Sequence, residues 1–174
     1  MRDTSPEFPL HPDSPFALLA PVERAAWFSY MRLQLRLRYE LNRQLQTDSG
    51  VSLADFDVLV ALTSDPDSVM GVSALAARIG WERSRLSHHL KRMSDRRLVV
   101  VAVAASDRRV REVRLTPEGA QVLRAATPAH IDLVRAMFTS ALDADGLAAL
   151  TDALDRVYES VIAQGTLPRP VDHP

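Results

Sequence analysis

The chain has no cysteine. That absence excludes disulfides, thiolate-bound metals and a cysteine redox switch together. Long apolar runs are missing too. The longest, Leu98 to Ala105, falls far short of the roughly 20 residues that a membrane-spanning helix needs. The N-terminus, M-R-D-T-S-P-E-F-P-L-H-P-D-S-P, lacks a basic start followed by an apolar core. No secretion signal is therefore expected, and a soluble cytoplasmic protein is the default. Bulk charge is also lacking, with a formal net of −1, which draws the whole molecule to neither nucleic acid nor a membrane. What is present is 174 residues, enough for one domain with a real core.

The charge is unevenly spread. Arg78 to Arg114 holds eleven cations and four anions, +7 for the segment, and leaves −8 on the rest. A local basic block in a slightly acidic protein is the pattern of a nucleic-acid-binding face. A solvated arginine-rich surface has the same composition.

Residues 1–16 and 167–174 carry prolines, few apolar residues and no period, and read as flexible tails. Between them the pattern predicts six helical segments and one hairpin. Val22 to Leu45 is rich in helix formers and free of glycine and proline. Its apolar residues, Met31 to Leu41, alternate as in a strand, but length and the lack of β-branched residues after Val22 favour a helix. Such a helix is apolar on more than one side and packs between two partners, which points to an oligomer.

Ser52-Leu-Ala-Asp55 is a capping box opening a second helix, which Asp65-Pro-Asp67 ends. Ser73 is the expected cap of a short helix, Ala74 to Ile79, stopped by Gly80. A further helix runs from Glu82 to about Arg96. Leu98 to Val103 is dense in β-branched residues and reads as a strand. A turn at 104–109 returns it through Val110 to Leu115. Thr116-Pro117-Glu118 starts a fifth helix, running toward Leu142 and kinked or broken at Pro128. In the last helix Leu147, Leu150, Leu154, Val157 and Val161 are spaced as a heptad seam. An ordinary core-facing stripe has the same spacing.

Helix, short helix, turn, basic helix and hairpin is the order of a winged helix-turn-helix, a mainly α fold with a small β-hairpin wing. On the basic helix Leu86, Leu90 and Met93 form one buried stripe. At about 100° per residue, Ser84, His88 and Lys91 lie opposite, flanked by Arg85 and Arg92 on one side and Ser87 on the other. Arg85 can donate a bidentate pair to guanine, and Ser84 or His88 can bond base edges or phosphate. The Ser87-His88-His89 run invites a catalytic or metal reading that fails on geometry. Adjacent helical residues diverge, the neighbours of His88 one turn away are Ser84, Arg85, Lys91 and Arg92, and no acid is placed to orient an imidazole. No enzyme, metal or cofactor is expected. His89 leans inward, toward packing and a hydrogen bond.

The stretch W-E-R-S-R-L-S-H-H-L-K-R-M, then R-L-V, then D-R-R-V-R-E-V-R-L-T-P-E-G, resembles the multiple-antibiotic-resistance regulator (MarR) family from about Val22 to Gln164. The most specific part is Asp107-x-Arg109 with Leu115-Thr116 and Gly119 following. The resemblance implies a homodimeric winged-helix transcription factor, most often a repressor, in one domain over 17–166. The DNA-reading part is then about 50–115, and the dimerisation helices are about 20–46 and 116–164. It implies base contacts from Ser84, Arg85 and His88, and a wing tip, Arg108 and Arg109, that enters the minor groove. Asp107 is expected to pair with one of these arginines and orient the hairpin while the other meets the groove.

Two departures stand out. Arg97 occupies the position, before the wing, where the family usually has a left-handed glycine, so the junction is either strained or reshaped. Val100-Val101-Ala102 is apolar where the family carries charge, so this wing is expected to be more buried or more strongly paired.

Family members often bind small aromatic anions beside the dimer helices. Trp27, Tyr30, Met31, His130, Met137 and Phe138 are the candidates for such a cleft, with core and dimer packing as the plainer assignment. The expected partners are double-stranded DNA, a second copy of the chain and a small aromatic ligand, with no membrane. The alternative is a winged-helix module that binds small molecules or proteins without a specific DNA site. Lack of cysteine excludes the family's peroxide-sensing branch, and the scattered histidines argue against zinc sensing.

Overall fold

The computed structural model describes residues 10, 11, 13–105 and 107–171. The expected tails at 1–16 and 167–174 lie partly outside the described residues. Pro15–Leu18 already forms a 3-10 turn, and Arg169 forks onto Glu159 at 3.0 and 2.5 Å.

Six α-helices and a small sheet follow in the order α1 (Pro21–Ser49), α2 (Leu53–Thr63), β1 (Val69–Gly71), α3 (Val72–Arg78), α4 (Arg83–Asp95), β2 (Val99–Val103), β3 (Arg111–Leu115), α5 (Pro117–Met137) and α6 (Ala144–Gln164). The chain forms two compact units, 1–40 and 41–174. No described helix is long and apolar enough to cross a membrane.

In the first unit Phe16 meets Phe28 edge-on at 5.2 Å. The alternating pattern of α1 leaves Trp27, Tyr30, Leu33, Leu35 and Tyr39 exposed, by 41 to 61%. In the second unit the core is built from Leu59 and Leu62 of α2, Leu75 of α3, Leu86 and Met93 of α4 and Val113 of β3, all fully buried. The capping box forms as expected: Ser52 Oγ accepts from the Asp55 amide at 3.0 Å, and Asp55 Oδ2 accepts from the Ser52 amide at 2.9 Å. On α6 the seam stays open. Leu154, Val157 and Val161 are 45, 62 and 60% exposed, so the chain's own core does not cover that end of the stripe.

The structure refines four local expectations. The hairpin is part of a three-stranded antiparallel sheet, ordered β1-β3-β2, because Val69–Gly71 pairs with Glu112–Arg114. The cap of α3 is Gly71, not Ser73, since β1 runs straight into the helix and pulls Val72 into the core at 4% exposure. Pro128 does not break α5, which continues through it. Ala126 and His130, on either side of it, are buried in the second unit and keep the helix packed there. The wing strand is paired over its whole length, as one of the two expected alternatives, but is only partly buried: Val99 is 1% exposed, Val100 and Val103 52 and 56%. Alternation sends Val100, with Ala102, to the open face of the sheet, while Val103, on the face of Val99 and Val101, is exposed at the end of the strand beside the turn.

Candidate nucleic-acid interface

α4 is set by two turns of the same type. α3 ends with Gly80 at φ +67°, the Gly80 amide donating to Ala77 O at 3.2 Å and the Trp81 amide to Ala76 O at 2.8 Å. This is a Schellman motif, and its apolar follower is Trp81, 8% exposed. α4 ends the same way. The Arg97 amide donates to Ser94 O at 2.9 Å and the Leu98 amide to Met93 O at 3.0 Å, with Leu98 buried. Here the left-handed residue is Arg97, φ +61°. The junction keeps the shape a glycine would give and carries the strain of a Cβ in that region, about 1 kcal/mol. Thr116 Oγ1 clamps it, its single proton shared between Arg97 O at 2.6 Å and Leu98 O at 3.0 Å. That hydroxyl also accepts from the Gly119 amide at 2.9 Å.

On α4 the buried stripe is Leu86, Leu90 and Met93, with His89 beside it at 6% exposure. Ser84, Arg85, Ser87, His88, Lys91 and Arg92 are all exposed. The face divides as helical geometry requires. Ser87 and Lys91, with Arg83, line a cavity of about 400 Å³ toward the wing, where Asp95 and Arg111 also lie. The Ser87 hydroxyl donates to Arg83 O at 2.8 Å and so is held against its own helix. Arg85 lies on the opposite flank, its guanidinium carbon 4.1 Å from the centre of the Trp81 ring.

Behind this face is a polar network that local sequence patterns do not reveal. Asp55 is buried at 4% exposure. Its Oδ1 lies 3.0 Å from His89 Nε2 and its Oδ2 accepts from Arg96 Nη1 at 2.8 Å. Arg96 also donates to Gly50 O at 2.8 Å. Burial alone would raise the Asp55 pKa, but His89, Ser52 and Arg96 together hold the carboxyl well below the usual carboxylate range. Arg92 Nη2 lies 2.9 Å from His89 Nδ1. A guanidinium only donates, so Nδ1 accepts and the ring proton sits on Nε2, facing Asp55. His89 is thus the inward, hydrogen-bonded residue that the sequence implied.

At the wing tip the Ala104 amide donates to Val110 O at 2.9 Å and the Val110 amide to Asp107 O at 3.0 Å. The expected pairing of Asp107 with an arginine side chain is corrected. Its Oδ1 instead accepts from the backbone amide of Arg109 at 2.8 Å, because an aspartate in a tight turn reaches its own backbone two residues on. Arg108 and Arg109 are both exposed there.

The six ligand-cleft candidates are placed as follows. On α1, Trp27 and Tyr30 are exposed with ring centres 5.7 Å apart, and Met31 is half-buried. In the second unit, His130 is buried 4.4 Å from the Phe56 ring, with Nδ1 3.4 Å from Gln44 Oε1. That burial lowers the His130 pKa, opposed in part by Asp57. Met137 is exposed and Phe138 half-buried at the end of α5.

The MarR family model matches residues 49–110. AbsC, a MarR family transcriptional regulator from Streptomyces coelicolor, is 32% identical, with 84% of this chain and 98% of that one covered and a TM-score of 0.79. Sco3205, a MarR family regulator from the same organism solved in complex with DNA, is 32% identical, with 90 and 98% covered and a TM-score of 0.81. PcaV, a transcriptional regulator of that organism solved with its natural ligand, is 25% identical, with 74 and 91% covered and a TM-score of 0.62. With identity above 30% to AbsC and Sco3205 over nearly their whole length, and with the winged helix-turn-helix described above, this chain belongs to the MarR family of transcriptional regulators.

Proposed function

We propose that the protein is a homodimeric repressor that binds a pseudo-palindromic operator and is released by a small aromatic ligand. The observation that carries the DNA reading is the exposed face of α4. Ser84, Arg85, His88 and Lys91 stand out from a helix whose other side is locked in the core. Arg108 and Arg109 extend that face from the wing tip. Arg85 reads base edges, Ser84 and His88 support it, Ser87 and Lys91 meet phosphate on the wing side, and the wing arginines enter the minor groove. The relative solved with DNA supports this assignment.

The dimer reading rests on apolar surface that a single chain leaves open, on α1 (Trp27, Tyr30, Leu33, Leu35) and on α6 (Leu154, Val157, Val161). A ligand is supported by the relative solved with its natural ligand. The module without a DNA site drew its support from a reshaped junction at Arg97. The junction keeps its left-handed form, which removes that support.

Selection on random DNA tests the proposal. An enriched inverted repeat with half-sites about 10 bp apart supports it. Lack of enrichment refutes it. Arg85→Ala should relax base preference, and Arg108→Ala should weaken binding to all sequences with a shallower salt dependence. A thermal-shift screen of small aromatic acids tests the ligand, and no stabilising acid would count against it.

A further inference from the structure

The Arg85 guanidinium does not project freely from α4. It lies over the face of Trp81, 4.1 Å from the ring centre. Trp81 is itself fixed, being nine-tenths buried as the apolar follower of the turn before α4. Its ring meets His89 edge-on, with centres 5.3 Å apart. His89 in turn lies 3.0 Å from Asp55, whose other oxygen holds Arg96 and the cap of α2. A chain of contacts thus leads from the start of α2 to an exposed guanidinium on that flank of α4 that rests on an aromatic ring.

We propose that Trp81 is a positioning residue for DNA readout: its indole face fixes the plane of the Arg85 guanidinium, and so sets base specificity rather than affinity. The inference rests on the assignment of Arg85 as the base reader. A phosphate accepts an arginine in many orientations, but a bidentate pair to the O6 and N7 of guanine needs one plane and one direction. A side chain held in that plane beforehand loses less freedom on docking. A cationic group over an indole face is attracted by the ring quadrupole, most strongly when water is excluded, as on DNA. Trp81 has no polar atom that needs to touch DNA for this. Its effect passes through Arg85.

The test uses the full-length protein, the half-site recovered by selection, and the same site with 7-deazaguanine, which lacks the N7 acceptor, at the guanine under Arg85. The readout is the ratio of the two affinities. The wild type should prefer guanine by about tenfold or more. Arg85→Ala should bring the ratio to one. Trp81→Leu should cut the ratio by roughly 2- to 5-fold, the worth of an exposed cation–π contact, and should change nothing further in the Arg85→Ala background. Trp81→Phe, which keeps an aromatic face, should fall between wild type and Trp81→Leu. If Trp81→Leu does not fold, Trp81→Phe decides alone, and an unchanged ratio overturns the inference. It is also overturned if Trp81→Leu weakens both DNAs equally in both backgrounds, which would make Trp81 a fold residue only. A raised ratio in Trp81→Leu overturns it too, since Trp81 would then hold Arg85 away from DNA. If instead Arg85→Ala keeps the wild-type ratio, the base-reading assignment itself fails and takes the inference with it.

Discussion

Replacing Asp55 by alanine removes a buried carboxylate on which two helices and a junction depend, and the structure gives the size of the loss. Three partners lose their acceptor. The Ser52 amide loses half of the capping box at 2.9 Å, worth about 0.5–1 kcal/mol. His89 Nε2, on a side chain only 8% exposed, loses the carboxylate that lies 3.0 Å from it, and a buried polar group stripped of its counterpart costs about 1–3 kcal/mol. Arg96 is 44% exposed, so water replaces most of that contact and its share is about 0–1 kcal/mol. The expected cost is therefore about 1.5–5 kcal/mol, which overlaps the roughly 3–5 kcal/mol typical when one partner of a buried pair is removed. The pH dependence has a definite sign. Because the folded carboxyl titrates below its ordinary value, the contribution is full above about pH 4 and is lost as pH falls from there. Urea unfolding of wild type and Asp55→Ala, at equal protein concentration, should show the full gap near neutral pH and a smaller one near about pH 3. A gap below about 1 kcal/mol at neutral pH, or one that does not narrow in acid, would refute the reasoning.

Arg97→Gly should stabilise the protein by about 0.5–1 kcal/mol, as relief of the left-handed strain exceeds the entropy of a freer unfolded chain. A lower melting temperature for that variant would contradict the strain. His130 has its pKa lowered by burial, so the unfolded state binds more protons and stability should fall as pH drops below about 6.5. His130→Gln should flatten the melting temperature between about pH 5 and pH 7 relative to wild type, and parallel curves would argue against this. Gly119→Ala would place a Cβ 2.1 Å from the Leu98 carbonyl oxygen. It should cost at least about 1–3 kcal/mol by forcing the wing junction off α5, which an unchanged melting temperature would disprove.

Features set by near neighbours were legible in the sequence. The capping box at Ser52 and the caps at Ser52 and Thr116 involve residues three apart, and the stripe of Leu86, Leu90 and Met93 is one helix face. Features set by distant partners were not. Val69–Gly71 has no period of its own and becomes a strand only because residues of β3 come to lie beside it. Asp55 shows its cap locally, but nothing near it in the chain announces His89 and Arg96, which reach it only after folding. The wing strand was legible in its pairing but not in its burial. An apolar strand reads as buried, yet in a sheet with one open face half of its residues must look outward. The outward-facing part of the site was readable because exposure needs no partner, whereas the stack of Arg85 on Trp81 needed the turn at Gly80 to bring the ring under the guanidinium.

The exposed valines of β2 also bear on how the protein behaves in the tube. β2 lies at the edge of its sheet, and V-V-V-A-V carries neither proline nor charge. An unblocked edge with strong β-propensity is where another chain adds a strand. The exposed cations just outside the strand are Arg97 before it and Arg108 and Arg109 beyond it, and they oppose such pairing by mutual repulsion, which salt screens. Concentrated DNA-free protein at high ionic strength is therefore the condition in which self-association through this edge sets in first. Storage should favour dilute, low-salt solutions, and a charged residue at Val100 is the change that would most directly extend shelf life.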